Sequence, residues 1–111
     1  MKPGTIAHGP SSLRVTFSLM VPVNIRGHVR EITSVNTPHS ERRKGHASAL
    51  MRKVCGQADS ERMTLVLQVN PYDECPMTKR DLMRWYGAFD FKPIQADPLV
   101  MARPPKTILN G

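Results

Sequence analysis

The sequence predicts an α/β sandwich with elements in the order β-β-α-β-α-β-β, and three observations carry the prediction. Two runs rich in β-branched residues come first; apolar residues then take up helical spacing at Ala47; and an apolar stretch at 63–69 separates that helix from a second one. The alternation is not that of a Rossmann sheet, because the chain starts and ends on paired strand signals instead of repeating βαβ units.

Each element has its own justification. "LRVTFSLMV" (13–21) reads as a strand, broken by Pro22 and Asn24 before "GHVREITSV" (27–35), a second strand joined to it as a meander. Ala47, Leu50, Met51, Val54, Cys55 and Ala58 then fall on one helical face, and that helix ends near Asp59. "MTLVLQV" (63–69) is apolar on both faces, as expected of a central strand covered by helices on at least one side. After the loop "NPYDECP" (70–76), Thr78 with Asp81 three residues later resembles an N-terminal capping pair, although Glu or Gln is the usual partner. Leu82, Trp85, Tyr86 and Phe89 give the following helix, Lys79 to Ala88, its apolar face. "FKPI" (91–94) and "PLVMAR" (98–103) close the core as short strands. Residues 1–12, with Pro, Gly and Ser and little apolar content, and 104–111, opening on two prolines, read as flexible tails around one domain at 13–103.

Composition narrows the partners. The 111 residues carry 16 Lys and Arg against 9 Asp and Glu, a net charge of +7, so an anionic partner is expected: nucleic acid, a phosphorylated small molecule or an acidic protein. Cys55 and Cys75 form no CxxC and no zinc-ligand spacing, so neither a metal nor a disulfide framework is expected, and a reducing cytoplasm fits best. No apolar run approaches the length of a secretory signal or a bilayer span, so no membrane role is expected.

The segment that carries chemistry lies between the second strand and the first helix. Arg42, Arg43 and Lys44 add positive charge, Gly45 lets the backbone approach an anion, and Ala47 and Ser48 keep side-chain bulk away from the first turn. The first helical N–H groups have no intrahelical partner and the macrodipole adds positive charge, so such a turn suits a diphosphate.

Arg42-x-x-Gly45-x-Ala47 matches the R/Q-x-x-G-x-G/A signature of the GNAT acetyltransferase superfamily, and "VNTPHSERRKGHASAL" (35–50) resembles the longer family run from strand end into helix. Further on, "LMRWYGAFDF" (82–91) resembles the family's "LYxxxGF" helix end, with Asp90 where most members have Gly. The resemblance covers roughly residues 27–103 and implies a mixed, mostly antiparallel sheet. Residues 1–26 leave no room for the family's usual first strand and two helices, so the chain is similar in build to the short phage-borne acetyltransferases that include an anti-CRISPR enzyme. The acceptor side of such a protein is open and suited to a protein surface.

The resemblance also implies roles. Acetyl-CoA would be the co-substrate, with its pyrophosphate on Arg42, Arg43, Lys44, Gly45, His46, Ala47 and Ser48, and with Val35 and Thr37 at the strand end. His46 would act through its backbone N–H, with its imidazole facing solvent. Asn70 either bonds the pantetheine amides or simply opens an Asn-Pro turn. Glu31, eleven positions before Arg42, stands where histone-type members carry their base, with a solvated strand carboxylate as the competing reading. Tyr86 matches the tyrosine that protonates the departing CoA thiolate, with a core aromatic as its alternative. Backbone N–H groups around Val35 would meet the thioester oxygen. The reaction is then acetyl transfer to a primary amine, a lysine or N-terminus of an acidic or open protein surface, with a homodimer left open as the assembly. The rival reading is a small basic nucleic-acid-binding protein or a catalytically inactive GNAT-fold module; with aromatic residues at 5% and no RNP, KH or zinc-finger pattern, it is not favoured.

Overall fold

The structure, a computed structural model, describes residues 1–19, 21–36, 45–69 and 78–106. Its elements are β1 (Gly4–His8), β2 (Ser11–Phe17), a 3-10 helix (Val23–His28), β3 (Val29–Asn36), α1 (His46–Ser60), β4 (Thr64–Gln68), α2 (Lys79–Gly87), β5 (Lys92–Ala96) and β6 (Leu99–Arg103). The strands form one sheet in the order β1-β2-β3-β4-β6-β5. Among the described residues only β3 and β4 pair in parallel; every other neighbouring pair is antiparallel. The mixed α/β sheet with two main helices is therefore present, with one more strand than the sequence pattern predicts.

That extra strand corrects the reading of residues 1–12 as a tail. Gly9 and Pro10, read as punctuation, form the turn of a hairpin in which His8 stands opposite Ser11 and Gly4 opposite Val15. β1 has little side-chain pattern because it lies at the sheet edge, where backbone pairing sustains it and only Ile6 leans on the core. Lys53 Nζ also donates to the Ala7 carbonyl at 3.1 Å, tying β1 to α1. At the other end, residues 104–106 are held: the Lys106 N–H donates to Asp59 Oδ1 at 2.8 Å, and the Lys106 ammonium pairs with Asp90. Residues 107–111 lie outside the described residues.

The β3 boundary also moves. Gly27 and His28, read as the beginning of the strand, belong to the 3-10 helix, which starts behind Pro22 with Ile25 N–H bonded to the Pro22 carbonyl at 3.1 Å.

Strand alternation sorts the sheet into two faces. Leu13 and Val15, Ile32, Leu65 and Leu67, and Leu99 and Met101 pack into one core with Leu50, Met51, Val54, Cys55 and Ala58 of α1 and Tyr86 of α2. Both helices therefore cover the same face, as follows when two successive right-handed crossovers advance in one direction across a sheet. Val66 of β4 lies between Leu65 and Leu67 but outside that core cluster, on the second face. Among the described residues no main helix packs there.

The helix ends follow from local chemistry. α2 starts at Thr78, whose hydroxyl accepts the Asp81 N–H at 3.1 Å while Asp81 Oδ2 accepts the Thr78 N–H at 3.2 Å, so aspartate completes the box that the sequence suggested. Beyond its C-terminus, Asp90 takes φ 74, the left-handed conformation that makes glycine usual at such a stop.

Candidate functional site

The site begins where the one parallel pair comes apart. β3 and β4 register over three pairs, Val29 with Thr64, Arg30 with Leu65 and Glu31 with Val66, yet β3 runs on to Asn36 and β4 to Gln68. On the other side of β3 the register with β2 shifts between Ser12 and Arg14, where Ser34 adopts φ 55. An extra residue of this kind bends its strand and increases the local twist, which turns β3 away from β4. The last residues of β3, Val35 among them, and the end of β4 thus face each other across an opening without ladder bonds between them. Such groups need partners from elsewhere.

α1 starts at this end of the sheet, since its first residue, His46, lies against the β1–β2 turn and that hairpin end pairs with the last residues of β3. Gly45 is its cap residue at φ 83, its carbonyl accepts the Ala49 N–H at 3.0 Å, and no side chain caps the helix. A left-handed cap suits glycine, and a Cβ built there meets nothing within 4 Å among the described residues. Ala47 and Ser48 are half-buried in the first turn. His46 departs from expectation: its imidazole is half-buried against the β1–β2 turn, with Nδ1 at 3.1 Å from where a Cβ on Gly9 would sit. Its backbone N–H remains in the first turn, with those of Ala47 and Ser48. Thr37, Arg42, Arg43, Lys44 and Asn70, expected at the cofactor site, lie outside the described residues.

Glu31 sits at the apex of the opening. It belongs to the last registered pair with Val66, lies opposite Thr16 on β2, and shares with Val66 the sheet face away from the helices. Its side chain is half-buried, and Ser18 Oγ donates to Glu31 Oε1 at 3.2 Å. Tyr86 lies on the helix side, 9% exposed, edge-on to Trp85 at 5.1 Å and to Phe91 at 5.9 Å between ring centroids. The aromatic cluster fixes its ring; the sequence reading of a core aromatic and that of a proton donor both fit this placement. His28 ends the 3-10 helix at the sheet's other end.

Cys55 contributes no nucleophile, because burial pushes its thiol up to about 11. Among the described residues no cluster of His, Cys, Asp and Glu could hold a metal, and no helix is long and apolar enough to cross a membrane.

Sequence reasoning missed a buried network that holds the two helices to the sheet. Arg103 of β6, 3% exposed, donates through both terminal nitrogens to the two Asp59 oxygens at 2.7 and 2.9 Å, and through Nε to the Phe89 carbonyl at 2.7 Å. The Arg103 hydrogen bonds hold the Asp59 carboxyl below its ordinary range. The network joins the C-terminal turn of α1 to the end of α2, three residues after Tyr86. A basic residue ending an apolar strand, "PLVMAR", was the available signal.

A mixed six-stranded sheet with two main helices on one face is a GNAT-like α/β fold. Solved structures bear this out over most of the chain. The anti-CRISPR protein AcrVA5 matches 92% of this chain and 98% of its own at 19% identity, with a TM-score of 0.69. The ribosomal-protein-S18-alanine N-acetyltransferase from Escherichia coli matches 92% of this chain with 66% of its own, at 14% identity and a TM-score of 0.63. An aminoglycoside 6'-N-acetyltransferase, solved with coenzyme A, matches 87% of this chain with 68% of its own, at 12% identity and a TM-score of 0.61. At these identities the likeness is one of fold. No protein-family profile and no curated protein matches the sequence.

Proposed function

We propose that this protein is an acetyl-CoA-dependent N-acetyltransferase that acts on a primary amine of a protein, a lysine or an N-terminus. The observation that carries the reading is the parting of β3 and β4 after the Glu31–Val66 pair, at the end of the sheet where α1 begins. The exposed strand edges bond the pantetheine amides, and the loop before α1, with Gly45 and the cations Arg42, Arg43 and Lys44, receives the pyrophosphate. The acetyl thioester then lies in the gap, with backbone N–H groups around Val35 facing its oxygen.

The remaining chemistry is proton movement. An amine of ordinary pKa near 10.4 must lose a proton to attack, and Glu31, half-buried at the apex on the helix-free face, is placed to take it, directly or through water. Collapse of the tetrahedral adduct breaks the C–S bond, and Tyr86 supplies the proton that the thiolate needs. A protein acceptor suits the second face, which no main helix covers among the described residues. A small acceptor wants an enclosed pocket; among the described residues a shallow cavity of about 580 Å³ beside Lys79, Met83 and Ile94 lies two strands away from the gap, along β5. The net charge of +7 favours acceptor lysines with acidic neighbours.

Two measurements test the reading. Acetyl-CoA at 100 times its Kd should raise stability by about 2.7 kcal/mol, visible as a thermal shift. Gly45→Glu should remove that shift, while Gly45→Asn, which tolerates the left-handed φ, should keep most of it. An undiminished shift in Gly45→Glu rules out this loop as the pyrophosphate site. Labelled acetyl-CoA incubated with the protein and a cell lysate should label lysines or N-termini, read by mass spectrometry; ligand binding with no transfer would leave a binding module, not an enzyme.

A further inference from the structure

We propose that Ser18 is a positioning residue for Glu31, an inference that rests on the acetyl-transfer reading above. Ser18 follows the last residue of β2 and is 0% exposed, while its hydroxyl lies 3.2 Å from Glu31 Oε1. The antiparallel register sets Thr16 opposite Glu31, so Ser18 is the diagonal neighbour across the strand pair, on the face that carries Glu31.

The environment explains why a carboxylate there needs a support. In register, Glu31 is flanked by Thr16 on one side and Val66 on the other, and neither offers it charge. Along β3 its same-face neighbours are Val29 and Thr33, and on β4 they are Thr64 and Gln68. Arg14 is the cation on that face of β2, and it stands opposite Thr33. A glutamate has three rotatable bonds and loses considerable freedom when held in one pose. A hydroxyl that donates to one carboxylate oxygen holds that pose, and leaves the other oxygen to receive a proton from the amine.

Ser18 itself argues for a role. Burying a hydroxyl costs stability unless it is hydrogen-bonded, and its neighbours on that face of β2, Arg14 and Thr16, are exposed and half-buried. The 3-10 helix packs against β3 near this end of the sheet. A site so enclosed is as well filled by alanine unless the hydroxyl is used. The 3.2 Å separation suits a catalytic hydrogen bond before substrate arrives, since such bonds tighten in the reactive complex.

The test is a double-mutant cycle on the intact protein, with a random glutamate–lysine copolymer of net negative charge and acetyl-CoA as substrates and release of CoA as the readout. Ser18→Ala should lower kcat by about tenfold, the worth of one charge-assisted hydrogen bond, and leave KM for acetyl-CoA unchanged. Ser18→Thr, which keeps the hydroxyl, should recover most of the rate. In a Glu31→Gln background, Ser18→Ala should add nothing, because the group it positions is gone. If Ser18→Ala lowers kcat by the same factor in both backgrounds, or leaves it unchanged in the wild type, the positioning role is overturned while Glu31 stands. If Glu31→Gln turns over at the wild-type rate, the base assignment fails and Ser18 with it. If the wild type releases no CoA with that acidic copolymer, transfer to lysines with acidic neighbours is itself refuted.

Discussion

Replacing Arg103 by methionine should unfasten both helices at once. The substitution keeps a long apolar stem in the core and removes the guanidinium, so the two bonds to Asp59 and the bond to the Phe89 carbonyl are lost together. Breaking a buried pair by removing one partner costs about 3–5 kcal/mol. The Asp59 side chain is 17% exposed, so water softens the loss and the expected cost lies near the lower end, about 3 kcal/mol. Out of a total of about 5–15 kcal/mol, that should lower the melting temperature by roughly 10–15 °C and shift the urea midpoint without changing its slope. Adding Asp59→Leu should recover at least about 1 kcal/mol, since two apolar side chains cost less than one stranded charge. The end of α2 also loses its anchor at Phe89, so turnover should fall through displacement of Tyr86 even where the protein remains folded. A loss below about 1 kcal/mol, or a double variant no more stable than Arg103→Met, would refute the network as the clamp between the helices.

The other predictions concern proton traffic. Glu31→Gln should lower turnover most near neutral pH and recover partly as rising pH deprotonates the amine unaided, whereas Tyr86→Phe, which keeps the packed ring, should lower the rate by about 10²- to 10⁴-fold; both should keep the acetyl-CoA thermal shift, and a wild-type rate in either removes that residue from the mechanism. Acid stability follows from Asp59. Its folded pKa lies below the ordinary 3.8, so its contribution is complete above that value and is lost as pH falls through the lower folded value. Thermal melts should therefore show wild-type stability declining below about pH 4, with a shallower decline in Arg103→Met, where the chief cause of the shift is gone; parallel acid profiles would contradict this.

Local patterns in the chain determined the elements and their boundaries where one stretch of sequence holds all the information. The spacing from Ala47 to Ala58 specifies the buried face of α1, because helical geometry alone decides which side chains share a side. Thr78 and Asp81 mark the start of α2, and Asp90 the stop, because capping bonds and a left-handed turn depend on residues three or four apart. The Arg42–Ser48 motif, which carries the proposed pyrophosphate loop, is local for the same reason. Tertiary structure decided what depends on register between distant segments. β1 has almost no apolar pattern, and becomes a strand only because β2 offers a ladder beside it. Glu31 could be singled out by its spacing from Arg42, but its position at the last β3–β4 pair follows from where two strands stop pairing, which neither strand encodes alone. Ser18 gave no signal and Arg103 only the faint one of a basic residue ending an apolar strand, since a serine or arginine at a strand end is ordinary until its partner, 13 or 44 residues away, is brought within hydrogen-bond reach. Side-chain periodicity is written along the chain, whereas hydrogen bonds between strands and helices form only when the folded backbone sets their distances.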